Sequence, residues 1–144
     1  MSTEISTGTD LLTEGMQVRR AVLGDVYVER AITPTDALTQ AFQPFMTSYC
    51  WGEIWTDESL PRRERSLLVM AMTAALGRSA ELEAHTLGAL RNGITERELQ
   101  AVLRQIMVYC GVPAGVGALK AMRQGIAKFK DDEFNTDKPE GDGR

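Results

Sequence analysis

Apolar side chains return at three- and four-residue spacing through most of the chain and nowhere alternate one by one, a pattern of helices without strands. After a polar leader of about nine residues, "DLLTEGMQVRRAVLG" places Leu12, Met16, Arg19 and Leu23 on one helical face and stops at Gly24. "VYVERAI" is short and ambiguous. Thr33-Pro34 then offers an N-cap with a proline in the first turn, opening a helix toward Tyr49 that Pro44 should kink or split. "YCWGEIWTDESL" breaks at Gly52 and reads as a helix end and a loop. Pro61 opens "PRRERSLLVMAMTAALG", charged for one turn and apolar for three, the segment expected to be most buried.

Ser79 can cap a helix that ends at Asn92-Gly93, a good left-handed C-terminal pair. "TERE", Thr95 to Glu98, is a capping box for a helix ending at Tyr109-Cys110-Gly111. Pro113 opens the last helix, expected to end near Phe129. No internal repeat is evident. The expectation is an all-α fold of six to eight helices: one helical domain over residues 1–129, followed by a mobile acidic tail over 130–144, whose apolar content is too low to fold.

Composition narrows the function. The formal charge of −4 over 144 residues comes largely from the tail, where Lys130 to Arg144 holds six acidic and three basic residues. The rest is nearly neutral, which argues against nucleic acid, since phosphate binding needs a basic excess. Two cysteines far apart, Cys50 and Cys110, and a single histidine cannot assemble a four-ligand zinc site without carboxylates. Both thiols are read as buried and structural. The polar start "MSTEISTGTD" does not read as a secretory signal and no apolar run reaches bilayer length, so the expected location is the cytoplasm.

The single histidine is the first candidate for chemistry. Glu81, His85, Gly88 and Asn92 share one stripe of their helix. Either Glu81 and His85 are an i, i+4 pair bracing an exposed face, or the carboxylate holds the ring and raises its pKa, leaving a proton donor near neutrality. Arg62, Arg63 and Arg65 crowd the dipole's unfavourable end of the "PRRERSLL" helix. They are a solvated cluster or, with Arg62, Arg63 and Ser66 on one broad face, a site for a small anion. Trp51, Trp55, Tyr49 and Tyr109 serve a core or oligomer contact, or else line a pocket.

Five blocks carry a resemblance: "GMQVRRAVLGDVYVERA", "YCWGEIWT", "RRERSLLVMAM", "LEAHTLGALRNGITERELQAVLRQ" and "YCGVPAG". In this order, from about Thr13 to Lys128, the chain resembles the 4-carboxymuconolactone decarboxylases of the carboxymuconolactone decarboxylase and alkylhydroperoxidase D-like superfamily. The resemblance implies an alkylhydroperoxidase D-like helical fold, a homo-oligomer, expected as a hexamer, and chemistry with neither metal nor organic cofactor. The implied reaction, in protocatechuate catabolism, is loss of CO2 from 4-carboxymuconolactone to give 3-oxoadipate enol-lactone. The alkylhydroperoxidase D branch uses a CxxC pair and a glutamate. Those positions fall here on Arg78, Glu81 and Ser66, so thiol-based peroxide reduction has no nucleophile.

Under that resemblance His85, protonated and oriented by Glu81, would deliver a proton to the ring carbon. Arg62 or Arg63 would hold the carboxylate that stays, Trp55 and Met70 would wall the leaving carboxylate, and Ser66 or Tyr109 would donate to the lactone oxygen. Two other readings stay open: a superfamily enzyme for another small lactone or β-keto acid, and a non-catalytic helical oligomer.

Overall fold

The computed structural model describes residues 8–137, and among them every regular element is helical. The order is α1 (Gly8–Leu23), α2 (Asp25–Ile32), α3 (Ala37–Met46), a π-helical stretch (Thr47–Ile54), α4 (Arg62–Ala75), α5 (Ser79–Arg91), α6 (Glu96–Cys110) and α7 (Val112–Thr136). The backbone falls into two compact units, one ending at Arg65 and the other beginning at Ser66.

In the first unit α1 packs along the π-helical stretch, and α2 and α3 join α1 to it. Asp36, not Thr33, caps α3: its carboxylate accepts the Thr39 backbone N–H at 2.9 Å, while Thr33 belongs to the C-terminal end of α2. The helix does not end at Gly52. Pro44 brings no N–H to the ladder, and the chain continues as a wider coil in which Trp55 N–H reaches back to Cys50. Gly52 is there because α1 comes so close: a Cβ at Gly52 would collide with the Leu11 carbonyl.

In the second unit α7 is the spine, with α5 and α6 against it. Met70, Leu82, Ala89, Ile94, Leu99, Ile106, Ala118 and Met122 form its core. Gly125 lets α7 approach α5, since a Cβ there would stand 2.6 Å from the Glu83 carbonyl. The Thr95–Glu98 capping box is present with both reciprocal bonds. Ser79 is not a cap: α5 starts on Arg78 with no side-chain bond. The apolar run of α4 is not the most buried, since only Ser66, Met70 and Ala74 of this helix are buried and Leu68, Met72 and Leu76 are exposed.

The last helix passes Phe129 and ends at Thr136. Charge, not apolar content, accompanies the extension: Lys128 pairs with Glu83, Lys130 with Glu96 at 2.9 Å, and Asp132 with Arg91 at 2.9 Å. The remainder of the expected tail lies outside the described residues. No described helix is long and apolar enough to cross a membrane.

Candidate functional site

Helix α5 positions the histidine. Its apolar positions Leu82, Ala89 and Leu90 pack into the core of the second unit, which turns the stripe bearing Glu81, His85, Gly88 and Asn92 to another side. Glu81 is exposed and its charge favours the imidazolium, but burial acts the other way and is larger. The ring keeps a partly exposed edge while Nδ1 is shut off from solvent, and the pKa is pushed down from 6.5 to about 4. The expected protonated ring is thus corrected: near neutral pH His85 rests as neutral imidazole, because removing the ring from water costs the charged form more than one exposed carboxylate returns.

This shift makes stability depend on pH. Unfolded, the histidine takes a proton near pH 6.5, whereas the folded ring does so only near 4, so acidification between these values favours the unfolded chain. The folded state should hold its full advantage above about pH 6.5 and lose up to about 3 kcal/mol by pH 4 from this group. Urea unfolding at several pH values should show that slope, and His85→Gln should remove its share. An identical slope in the variant would place the acid sensitivity elsewhere.

Ser66, in the second turn of α4, is fully buried and accepts a hydrogen bond from the Asn92 side-chain amide at 2.9 Å. It is therefore sealed from a ligand and acts as an anchor for Asn92, a correction to its expected role as a substrate donor. Met70 is also fully buried, within the core cluster, so it is a packing residue and not the wall of an open pocket. Tyr109 lies at the other extreme, 81% exposed on the last turn of α6.

In the first unit Trp55 is buried and stacks on Trp51 with ring centroids 4.8 Å apart. Trp55 and Arg62 line one cavity of about 580 Å³. Glu14, Asp57 and Glu58 line it as well, and three carboxylates against one guanidinium oppose an anionic guest. Arg63 is partly buried, and Arg65 is committed to Asp57, donating to its backbone oxygen at 2.9 Å and pairing with its carboxylate at 3.3 Å. Neither thiol is buried as expected: Cys50 is half-buried and Cys110 exposed, and both are free. Burial pushes the Cys50 thiol up, with Arg19 pulling it back, so it is a poor nucleophile.

For two residues the sequence showed the position and not the role. Arg19 is 97% buried in α1 and donates to Gln43 at 2.8 Å and to Thr47 at 3.0 Å, tying α1 to the junction where α3 becomes π-helical. Burial pulls its pKa below the ordinary arginine value, partly offset by Tyr27 and Cys50. The available signal was a charge occupying an apolar position of the α1 period. Asn92 was hidden by its own plausibility as a helix terminator. No group of three or more potential metal ligands clusters among the described residues.

The carboxymuconolactone decarboxylase family model matches residues 40–124, more than half of the chain. The chain belongs to this family. Two relatives within reach are named as decarboxylases. The 4-carboxymuconolactone decarboxylase of Acinetobacter baylyi is 38% identical over 106 residues, covering 74% of this chain and 79% of the relative. The nitrosuccinic acid decarboxylase of Metarhizium robertsii is 36% identical over 121 residues, covering 84% of this chain and 85% of the relative. The matched region of this carboxymuconolactone decarboxylase family member contains α4, α5 and α6 entire, and with them His85, Ser66 and Asn92.

Proposed function

We propose that this protein is a cofactor-independent carboxy-lyase that converts 4-carboxymuconolactone to 3-oxoadipate enol-lactone. The observation that carries the reading is the Glu81–His85 pair on a helix of this family, its ring poised between solvent and interior. The substrate supplies its own electron sink. As the C–C bond to the departing carboxylate breaks, its electron pair passes through the ring double bond to the lactone carbonyl, and CO2 leaves. A proton then joins the ring carbon beside that carbonyl.

His85 is the donor. A ring at rest as neutral imidazole gains a proton when a dianion binds beside it, because nearby negative charge favours imidazolium. Dianion plus proton yields CO2 and a monoanion, so the charge that held the proton on the ring falls as the proton is delivered. Burial then returns His85 to its neutral state. The acid is charged by the substrate it serves.

The relative from Metarhizium gives a second substrate a specific footing. Nitrosuccinate and 4-carboxymuconolactone share a plan: one carbon carries the carboxylate that can leave, an electron-withdrawing group and a carboxymethyl arm that stays. A nitro group accepts the electron pair as readily as an unsaturated lactone. The test is direct: pure protein is mixed with each compound and both CO2 release and loss of the starting absorbance are followed. Turnover of the lactone alone supports the main reading, and turnover of nitrosuccinate alone transfers it to the second. With neither consumed, the remaining readings are another small lactone or β-keto acid, or a non-catalytic oligomer, the last of which predicts no ligand-induced rise in melting temperature.

A further inference from the structure

Helix α3 is turned with its polar side inward. Thr39, Gln43 and Thr47 recur every four residues, and this stripe faces the first unit: Thr39 and Gln43 are half-buried and Thr47 is fully buried. Gln43 and Thr47 accept hydrogen bonds from the buried Arg19 guanidinium, at 2.8 and 3.0 Å, and a buried cation left without these acceptors would be costly. Those bonds fix the roll of the helix. Its apolar side chains are carried outward as a result: Leu38, Phe42, Phe45 and, just beyond α3, Tyr49 are between 57 and 82% exposed, and no residue of α3 is buried.

The four outward residues are spaced four, three and four apart, which is the a and d spacing of a seam along which one helix lies on another. Phe45 and Tyr49 are already stacked, ring centroids 5.9 Å apart and planes within 7° of parallel, so part of the seam is shaped in advance. The charge pattern agrees. From Ala37 to Gly52 there is no Asp, Glu, Lys, Arg or His, in a chain where 25% of residues are charged. An outer helix face meant for water is ordinarily charged, whereas depletion of charge marks the centre of an interface.

At about two-thirds exposure the four side chains offer about 500 Å², taking a large aromatic as about 150–250 Å². That matches the largest patch on an ordinary monomer, about 300–600 Å². Two such faces in contact would remove about 1,000 Å² from water, about the minimum for a specific complex. A charged partner would lose hydration against this surface and gain no counter-charge. The same surface on a second copy is apolar and uncharged as well, and a two-fold axis presents the seam to itself.

We infer that α3 is the face through which copies of this chain associate, with Leu38, Phe42, Phe45 and Tyr49 at the centre of the contact. No substrate enters this inference, so it stands or falls apart from the decarboxylase reading. Sedimentation of the full chain over a micromolar dilution series should show a species larger than the monomer. Phe45→Glu should lower that mass by half or more, because each new carboxylate would be desolvated and would face its own copy across the seam. Phe45 is 68% exposed, so the fold should survive, which circular dichroism checks. If Phe45→Glu does not fold, Leu38→Glu at the other end of the seam, 82% exposed, carries the same test. A wild-type monomer throughout the series would overturn the inference and leave this face to a different partner. A folded variant that kept the parent's mass would overturn it as well.

Discussion

Replacing His85 by alanine is expected to lower kcat on the accepted substrate by about 100-fold or more, the usual contribution of a positioned general acid. The loss should fall mainly on kcat, because the proton is delivered in the reaction, with a smaller rise in KM because the imidazolium that binding creates also attracts the dianion. The pH profile should carry the same signature. With the free ring titrating near 4 and the ring in the complex titrating higher, binding takes up a proton, and kcat should fall as pH rises through the higher value. Proton uptake on adding an unreactive dicarboxylate analogue can be read with a pH indicator in weak buffer and should vanish in His85→Ala. A folded variant that kept near-normal turnover would remove the ring from the mechanism, whatever its surroundings.

The largest structural effect is expected at Gly52. Alanine is ordinarily the better helix former by up to about 1 kcal/mol, so on propensity alone Gly52→Ala would stabilise. Here the added methyl would meet the Leu11 carbonyl, and a methyl at Gly15 on the opposite helix would stand 2.6 Å from both the Gly52 nitrogen and the Thr47 oxygen. These are backbone atoms, with no flexible side chain to give way, and α1 would have to move off the π-helical stretch. Destabilisation of about 3 kcal/mol or more is expected. Trp51 and Trp55, the only tryptophans, both lie in this unit, so their fluorescence in urea reports on it directly. Gly117→Ala is the matched control: in α7 its Cβ would meet open space, and a gain of about 0.5–1 kcal/mol is expected. If Gly52→Ala unfolded at the same urea concentration as the parent, close contact between α1 and the π-helical stretch would be refuted.

The helices that the sequence announced clearly are those with local punctuation. Thr95 and Glu98 satisfy each other's backbone within a single turn, and Gly77, Gly93 and Gly111 adopt the positive φ that ends a helix. Such signals act over four residues and can be read from four residues. The misreadings share a different origin. Thr33-Pro34 had the chemistry of a cap, but Asp36 with its carboxylate took the part; Gly52 looked like a breaker until α1 lay against it. Phe129 looked like the last useful apolar residue, yet α7 continued where lysines and an aspartate found partners on α5 and α6.

The candidate site divides along the same line. That Glu81, His85, Gly88 and Asn92 share a stripe follows from helical geometry, and the chain order alone settles it. Whether the ring is charged does not, because the larger influence is burial within the folded chain, while the Glu81 charge four positions away is the smaller one. Ser66 and Asn92 are unremarkable in separate helices; packing made one the anchor of the other. The amino-acid order therefore determined which groups ride together on each helix, since that depends on rotation per residue. Only the tertiary structure decided which of them are dry, which are held and which can meet a substrate, since water is excluded by neighbours the local sequence does not contain.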